Sequence, residues 1–447
     1  MLFVVLSVYI VQYTNTIVNR FTLFLVVFMM LSALGRLFAQ PAGDVELNDK
    51  TYTETIKTVL LYPGGSTGDD PRRLLGQPVI PLEQNIGLTL EFDELVPRSR
   101  PFRAKLFHCN ADWTKSVLSD VEFTYEYNDY PVTDVRPAFS TKVPYNHYVF
   151  SVPKVKLSGN YVLVVYGDDR LPVLSRRFMV YDPRVRVGGG VAASSGISEQ
   201  RTAQQLDFQI DYKGYQLASP QTDLKVVIRK NFRWDQSKTG FKASSVNPFD
   251  QVLDFQFFKL ENNFSGGNEY RYFDSRSLGG RGFGIAAIER TDEYTELVLQ
   301  VDEPRAGSPY FQMDDFNGRY IVDHRESRNG SVQADYTPVI FTLKMGELRE
   351  GEVYVDGAFN LWERNEINRM AYDPDHQAYH AVIMLKQGVV NYQYVVADQA
   401  LKKVDDLVLE GNFSATENDY DVLIYHRPPA GRSDLLIGYR TFESNRR

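Results

Sequence analysis

Cysteine is almost missing from this chain of 447 residues: Cys109 stands alone. No intramolecular disulfide can form, and a cysteine-built zinc cage is excluded. Tryptophan is nearly as scarce, with 3 residues against 28 Tyr and 28 Phe. Basic charge is in deficit, with Lys and Arg totalling 49 against 57 Asp and Glu, for a formal −8. A chain without a basic face lacks the electrostatic attraction that nucleic acid demands, so no DNA or RNA partner is expected. No repeat of fixed period is present, which disfavours solenoids and propellers. Beyond the N-terminus no helical apolar stripe persists for three turns.

The apolar runs that do exist lie at the start. Arg20 precedes Phe21–Leu34, an uncharged and mostly apolar run of 14 residues. A membrane-spanning helix needs roughly 20. A basic residue, an apolar stretch and a small residue at the exit read as a secretory signal over 1–39, cleaved after Ala39. Met1–Val11 is a second apolar stretch, so the segment is long for a signal, and the true start is expected downstream of Met1. The competing reading is an uncleaved anchor. No cysteine sits near the end of the apolar run, which excludes a bacterial lipoprotein anchor. After cleavage no membrane span is expected.

What is abundant is β-signal. Leu88, Leu90 and Phe92 alternate with polar residues, as do Leu206, Phe208, Ile210 and Tyr212, and again Val390, Tyr392, Tyr394 and Val396. Period-2 alternation marks half-buried strands, and aromatic richness favours them. Turns such as Pro63-Gly64-Gly65, Ser158-Gly159-Asn160 and Asn329-Gly330 separate the runs. The expectation is an all-β protein of three β-sandwich, immunoglobulin-like domains in series: 45–183, 184–345 and 346–447. Gly188–Gly190 with Ser194-Ser195-Gly196 reads as the first linker, and Met345–Gly351 as the second break.

Motifs for chemistry are thin. Gly64–Gly68 matches G-x-S-x-G, but no helix follows to make a nucleophile elbow. His108 and Cys109 are neighbours on a strand and point to opposite faces, so the imidazole cannot activate the thiol. His376 and His380 are four apart, yet a turn and then a strand deny them a shared helical face. Asp314–Gly318 lacks the spacing of a calcium loop and reads as an Asn-Gly turn. No enzyme activity, cofactor or metal is expected.

The most distinctive stretch runs from Val353 through Gly357, Phe359 and Trp362 to Asn391–Tyr394. It looks like the early-set immunoglobulin-like modules that often bind starch or glycogen. Aromatic platforms such as Trp362 could then stack on sugar rings, with Tyr392 and Tyr394 as further candidate ligand contacts, and weak glycan binding by a periplasmic or surface protein is the alternative function. The bland alternative has Phe359, Trp362 and Tyr394 filling a sandwich core.

A wider resemblance runs from about Val45 to the C-terminus. Ile56–Pro63 (IKTVLLYP), Leu106–Trp113 (LFHCNADW), Tyr125–Tyr130 (YEYNDY), Asn146–Ser151, Gly159–Tyr166 and Arg176–Asp182 carry its first part. The GAFNLW segment, Gln387–Tyr394, Glu410–Phe413, Thr416–Tyr420 and Leu435–Tyr439 carry the rest. In number and order these resemble the plug-protein family of the Bacteroidota type IX secretion system. The resemblance implies a periplasmic protein, peripheral to the outer membrane, that binds the translocon β-barrel and occludes its periplasmic opening. It brings no catalytic residues. Trp113 and Tyr130 join Trp362, Tyr392 and Tyr394 as candidate ligand or partner contacts.

Overall fold

The computed structural model describes residues 45–447 apart from 65–69, 84–85, 328, 399, 402 and 446–447. The expected signal (1–39) and all but the first residue of the Gly64–Gly68 loop lie outside the described residues. Glu46–Arg447 is one unit, and its strands pack on one another throughout.

Alternating sequences become strands that form six sheets, and the sheets face each other in pairs. Helices are single turns, such as Asp120–Phe123 and Leu407–Glu410. The protein is all-β, and among the described residues no helix is long and apolar enough to cross a membrane.

The first sandwich sets Ile56–Pro63, Leu88–Glu94 and Asn146–Val152 against Phe102–Cys109, Gly159–Tyr166 and Pro172–Tyr181. Leu88, Leu90 and Phe92 face Ala104, Leu106, Leu163 and Val165 across its core. Each fully buried Leu, Val or Phe side chain contributes about 1.5–3 kcal/mol relative to exposure. The strand Ile56–Pro63 is apolar on both faces for a reason: Val59 and Leu61 enter this core, whereas Leu60 and Tyr62 enter that of the third sandwich. The register shift between Lys57 and Leu60 sets that division, with Thr58 at φ 52°.

The second sandwich joins distant parts of the chain. One sheet holds Arg186–Ala193, Ala203–Asp211 and Val252–Phe255; the other pairs Leu224–Lys230 with Asn418–His426, which pairs in turn with Leu435–Ser444. Leu206, Phe208 and Ile210 meet Val226, Ile228, Val422 and Ile424 in its core.

The third sandwich is inserted between those halves. Gly388–Ala397 is the hub of one sheet, pairing with Arg271–Asp274, Tyr320–Val322 and Glu352–Asp356. Ile285–Arg290, Thr295–Leu299, Tyr336–Lys344 and Ala378–Lys386 form the opposing sheet. The chain enters and leaves side by side, with Phe413 N–H donating to the Gly267 carbonyl at 2.8 Å and Gly267 N–H to Asn412 Oδ1 at 3.0 Å.

Two expectations are corrected. A boundary at 345/346 would cut three sheets, because Tyr336–Lys344 pairs with Ala378–Lys386, Arg271–Asp274 and Tyr320–Val322 with Gly388–Ala397, and Leu224–Lys230 with Asn418–His426. Alternation announces a strand but not its partner, so nesting is invisible in it. Gly188–Gly190 is not a linker either: it is the middle of the strand Arg186–Ala193.

Candidate functional site at the junction of the sandwiches

The five candidate contacts do not share a surface. Tyr392 and Tyr394 lie in the third core, and both hydroxyls donate to Asp302 Oδ2 at 2.8 Å. Tyr130 opens an edge strand and is packed into the first core. Trp113 sits in a turn at φ 65° with its indole buried. Trp362 is half-buried, at φ 61°. Its ring lies under the Arg233 guanidinium at 3.8 Å and against Gly318, where a Cβ would come within 2.3 Å. Trp113, Tyr130, Tyr392 and Tyr394 are buried, whereas Trp362 keeps part of its surface exposed.

Trp113 and Trp362 belong instead to a structure that the sequence patterns did not reveal. Trp234, in the hairpin after Leu224–Lys230, meets Trp113 edge-on at 4.8 Å. Arg177 lies over both, 4.3 Å from Trp113 and 5.5 Å from Trp234, and Arg229 covers Trp234 at 4.3 Å. The chain's three tryptophans thus come one from each sandwich and converge at one junction. Desolvated cation–π contacts of this type are worth about 2 kcal/mol each. A cavity of about 290 Å³ lies beside Trp234 and Trp362, lined also by Asp49, Arg176, Arg319 and Glu363.

The arginines are anchored from behind. Arg229 makes a two-pronged ion pair with buried Asp421, and Arg233 pairs with Asp235 and reaches Asp356. Arg177 donates to the Leu47 carbonyl at 2.8 Å, and burial pulls its proton affinity down. Burial pushes the Glu363 carboxyl up to about 7, with Lys50 acting in the opposite sense.

A second charged cluster fastens the first sandwich to the third. Asp93 accepts from His147 Nδ1 at 2.7 Å, Tyr336 Oη at 2.7 Å and Lys386 Nζ at 2.6 Å. Asp93 and Lys386 are both fully buried. Burial opposes the charge on Asp93, but Lys386 and His147 outweigh it and hold the carboxyl below the usual carboxylate range. Beside it lies a cavity of about 380 Å³ lined by Thr58, Arg73, Glu91, His147 and Lys386. The His147–Asp93 pair has a catalytic look, yet the nearby hydroxyls are engaged: Thr58 Oγ1 bonds Tyr336 Oη at 2.6 Å and Ser331 Oγ bonds Asn329 Oδ1 at 3.0 Å. The network joins buried charges of the first sandwich to those of the third.

Burial pushes the Cys109 thiol up to about 12 and the His108 imidazole down to about 4. His376 bonds Asp373 from a turn at 2.8 Å, while His380 bonds Thr342 from a strand at 3.1 Å. Among the described residues no three His, Cys, Asp or Glu side chains are grouped to hold a metal ion.

The open apolar surface of the first sandwich comes directly after Trp113. Phe123 is buried and pins the turn Asp120–Phe123, which Ser119 and Glu122 cap. Around it Val117, Val121, Tyr125 and Tyr127 are 68%, 75%, 68% and 86% exposed. Tyr125 and Tyr127 protrude from the same YEYNDY stretch whose Tyr130 turns inward. The one signal for the junction was rarity: three tryptophans, two beside acid- or arginine-rich turns such as Phe232-Arg233-Trp234-Asp235.

A crystal structure of a hypothetical protein from Parabacteroides merdae ATCC 43184 is similar, with TM-score 0.84 and 28% identity over 90% of this chain and 100% of that one. A cryo-EM structure of E. coli alpha-2-macroglobulin aligns at a TM-score of 0.18 with 9% identity, covering 91% of this chain and 23% of that one; so low a score carries no argument. Comparison with curated proteins yields no match. The family model described as "Type 9 secretion system plug protein 1st domain" matches residues 56–182, from the first strand of the first core to the end of its last. The first sandwich is therefore the part of this chain that is similar to the first domain of type 9 secretion system plug proteins.

Proposed function

We propose that this chain is an exported, periplasmic subunit of the type IX secretion machinery, peripheral to the outer membrane. In this reading it docks on the translocon barrel and occludes the barrel's periplasmic opening. The observation that carries the reading is the family match over the first sandwich. The geometry agrees with it in two respects. Occlusion needs a broad, stiff surface, and buried charges and stacked indoles fasten the sandwiches to one another. Docking needs exposed apolar anchors, and Val117, Val121, Tyr125 and Tyr127 supply them. No catalytic step is part of the proposal.

The test is affinity purification of the tagged mature protein from native outer membranes, followed by mass spectrometry. One very large β-barrel in near-stoichiometric yield is expected. Recovery without any outer-membrane barrel, at low and moderate salt alike, would refute the docking role.

A further inference from the structure

The strand Pro172–Tyr181 is paired along one side by Gly159–Tyr166. Its other side carries two short strands with a gap between them. Lys50–Thr51 covers Leu174 and Ser175, and Val79–Pro81 covers Met179–Tyr181. Arg176 and Arg177 fall in that gap. Successive side chains of a strand leave on opposite faces, but at an uncovered stretch of edge both reach the space beyond it. That space is the cavity of about 290 Å³ at the junction, and both arginines line it.

Five arginines stand on the wall of this cavity, and three of them are fully engaged. Arg229 directs Nε and Nη2 at Asp421 and Nη1 at the Phe232 carbonyl. Arg233 holds Asp235 with two nitrogens and donates the third to Tyr270 Oη at 3.1 Å. Arg319 donates to the Phe316 and Leu75 carbonyls and lies 3.5 Å from Asp419. Arg176 and Arg177 are different. Arg176 has Asp49 at 3.6 Å, beyond hydrogen-bond reach, and its Nε is buried without a hydrogen-bond partner. Arg177 Nε donates to the Leu47 carbonyl, and this side chain makes no ion pair among the described residues. Neither guanidinium finds an acceptor for its terminal amino groups among the described residues.

The charges here do not balance. Asp49 faces Arg176, and its Oδ1 also accepts the Arg177 main-chain N–H at 2.8 Å. Glu363, also on the wall, is mostly neutral below its value of about 7. Arg177 is left as a half-buried cation without a carboxylate of its own. A charge withdrawn from water is costly until it is paired. An anion in the cavity relieves that cost, and the planar donor fork of arginine matches a carboxylate at two points. Much of the remaining wall is apolar, from Leu61, Leu74, Leu75 and Met179 to the Phe232 and Trp362 rings. A cavity of about 150 Å³ already admits a benzene ring, so this one has room for a ring and a short acid chain.

We infer that the junction cavity binds a small organic carboxylate, with Arg176 and Arg177 donating to the carboxylate and the apolar wall against its body. The site takes one such molecule, held between parts of all three sandwiches. The inference is independent of the docking role, which rests on the family match of the first sandwich.

Trp234 and Trp362 lie on the cavity wall and Trp113 beneath Arg177, so intrinsic fluorescence reports on the site. The full mature chain is titrated with phenylpropionate, its neutral amide and inorganic phosphate, at mildly acidic pH where Glu363 is mostly neutral and the probe ionised. The melting temperature is followed in parallel. Phenylpropionate is expected to give a saturable fluorescence change, to bind at least tenfold tighter than either control, and to raise the melting temperature with its concentration. Arg177→Gln is expected to weaken binding at least tenfold. Arg177 also stacks on indoles, so a loosened fold would weaken binding by itself; Asp49→Asn separates the two causes. It keeps an oxygen for the Arg177 N–H, removes the competing charge, and is expected to tighten phenylpropionate binding at least threefold. Absence of saturable binding, equal affinity for the amide, or weakening by Asp49→Asn would overturn the inference. Phosphate binding as tight as phenylpropionate would overturn it in favour of a site for inorganic anions.

Discussion

The two seams of this molecule solve the same problem with opposite chemistry. Between the first and third sandwiches a fully buried lysine and aspartate are joined by a histidine and a tyrosine. At the three-way junction indoles and guanidinium groups stack beside a cavity, with the carboxylates set behind. The first seam is all-or-none: each charge is tolerable only while its partner is present. The second is graded, since a stack loses its contacts one at a time. A buried ion pair specifies one docking geometry, whereas stacking tolerates small shifts between sandwiches.

The largest expected effect comes from breaking the first seam. Lys386→Met strands the Asp93 charge and should cost about 3–5 kcal/mol in urea unfolding. Adding Asp93→Asn should recover a good part of that loss. If the double variant is no better than the single one, the seam is held by packing and the contrast collapses.

At the junction, Trp234→Ala removes the contacts to Arg177, Arg229 and Trp113. A smaller loss of about 2–3 kcal/mol is expected, read in the same unfolding experiment. A loss equal to that of Lys386→Met would mean that the stack too is all-or-none.

Acidity separates the seams further. Asp93 has a lowered folded-state pKa, so its contribution is present above the ordinary carboxylate value of 3.8 and fades as pH falls below it. Glu363 is the reverse: its folded value of about 7 exceeds the ordinary 4.5, so between them the folded chain binds more protons than the unfolded one. Stability from that group therefore declines as pH rises from 4.5 through 7. Glu363→Gln should flatten the decline in melting temperature over that window and leave the acid limb unchanged.

The smallest stability effect belongs to the exposed anchors. Tyr127→Ser should shift unfolding by no more than about 0.5 kcal/mol. If the docking surface is as proposed, the same change lowers barrel recovery in the pull-down.

Strands such as Leu88–Glu94 and Ala203–Asp211 were legible because alternation is a local consequence of having one face in a core. The double-faced Ile56–Pro63 was legible as apolar but not as a strand shared between two cores. Nesting of the third sandwich, the junction and the Asp93 cluster were not legible, since each joins residues far apart in the chain; Asp93 and Lys386 are 293 positions apart. The candidate contacts were picked as aromatics in distinctive motifs, which says nothing of whether a ring's face stays open. Glycine misled in a similar way: three in a row suggested flexibility, but close approach to Asp207 and Phe208 is what Gly189 serves.

The sequence by itself determined that the chain is all-β, acidic and poor in thiols, because composition and period-2 alternation are properties of neighbouring residues. Which strands pair, which tryptophans meet and which arginine goes without a carboxylate was decided only by the tertiary structure. Those outcomes depend on pairing across hundreds of residues, where hydrogen bonding and burial select among partners that no local pattern distinguishes.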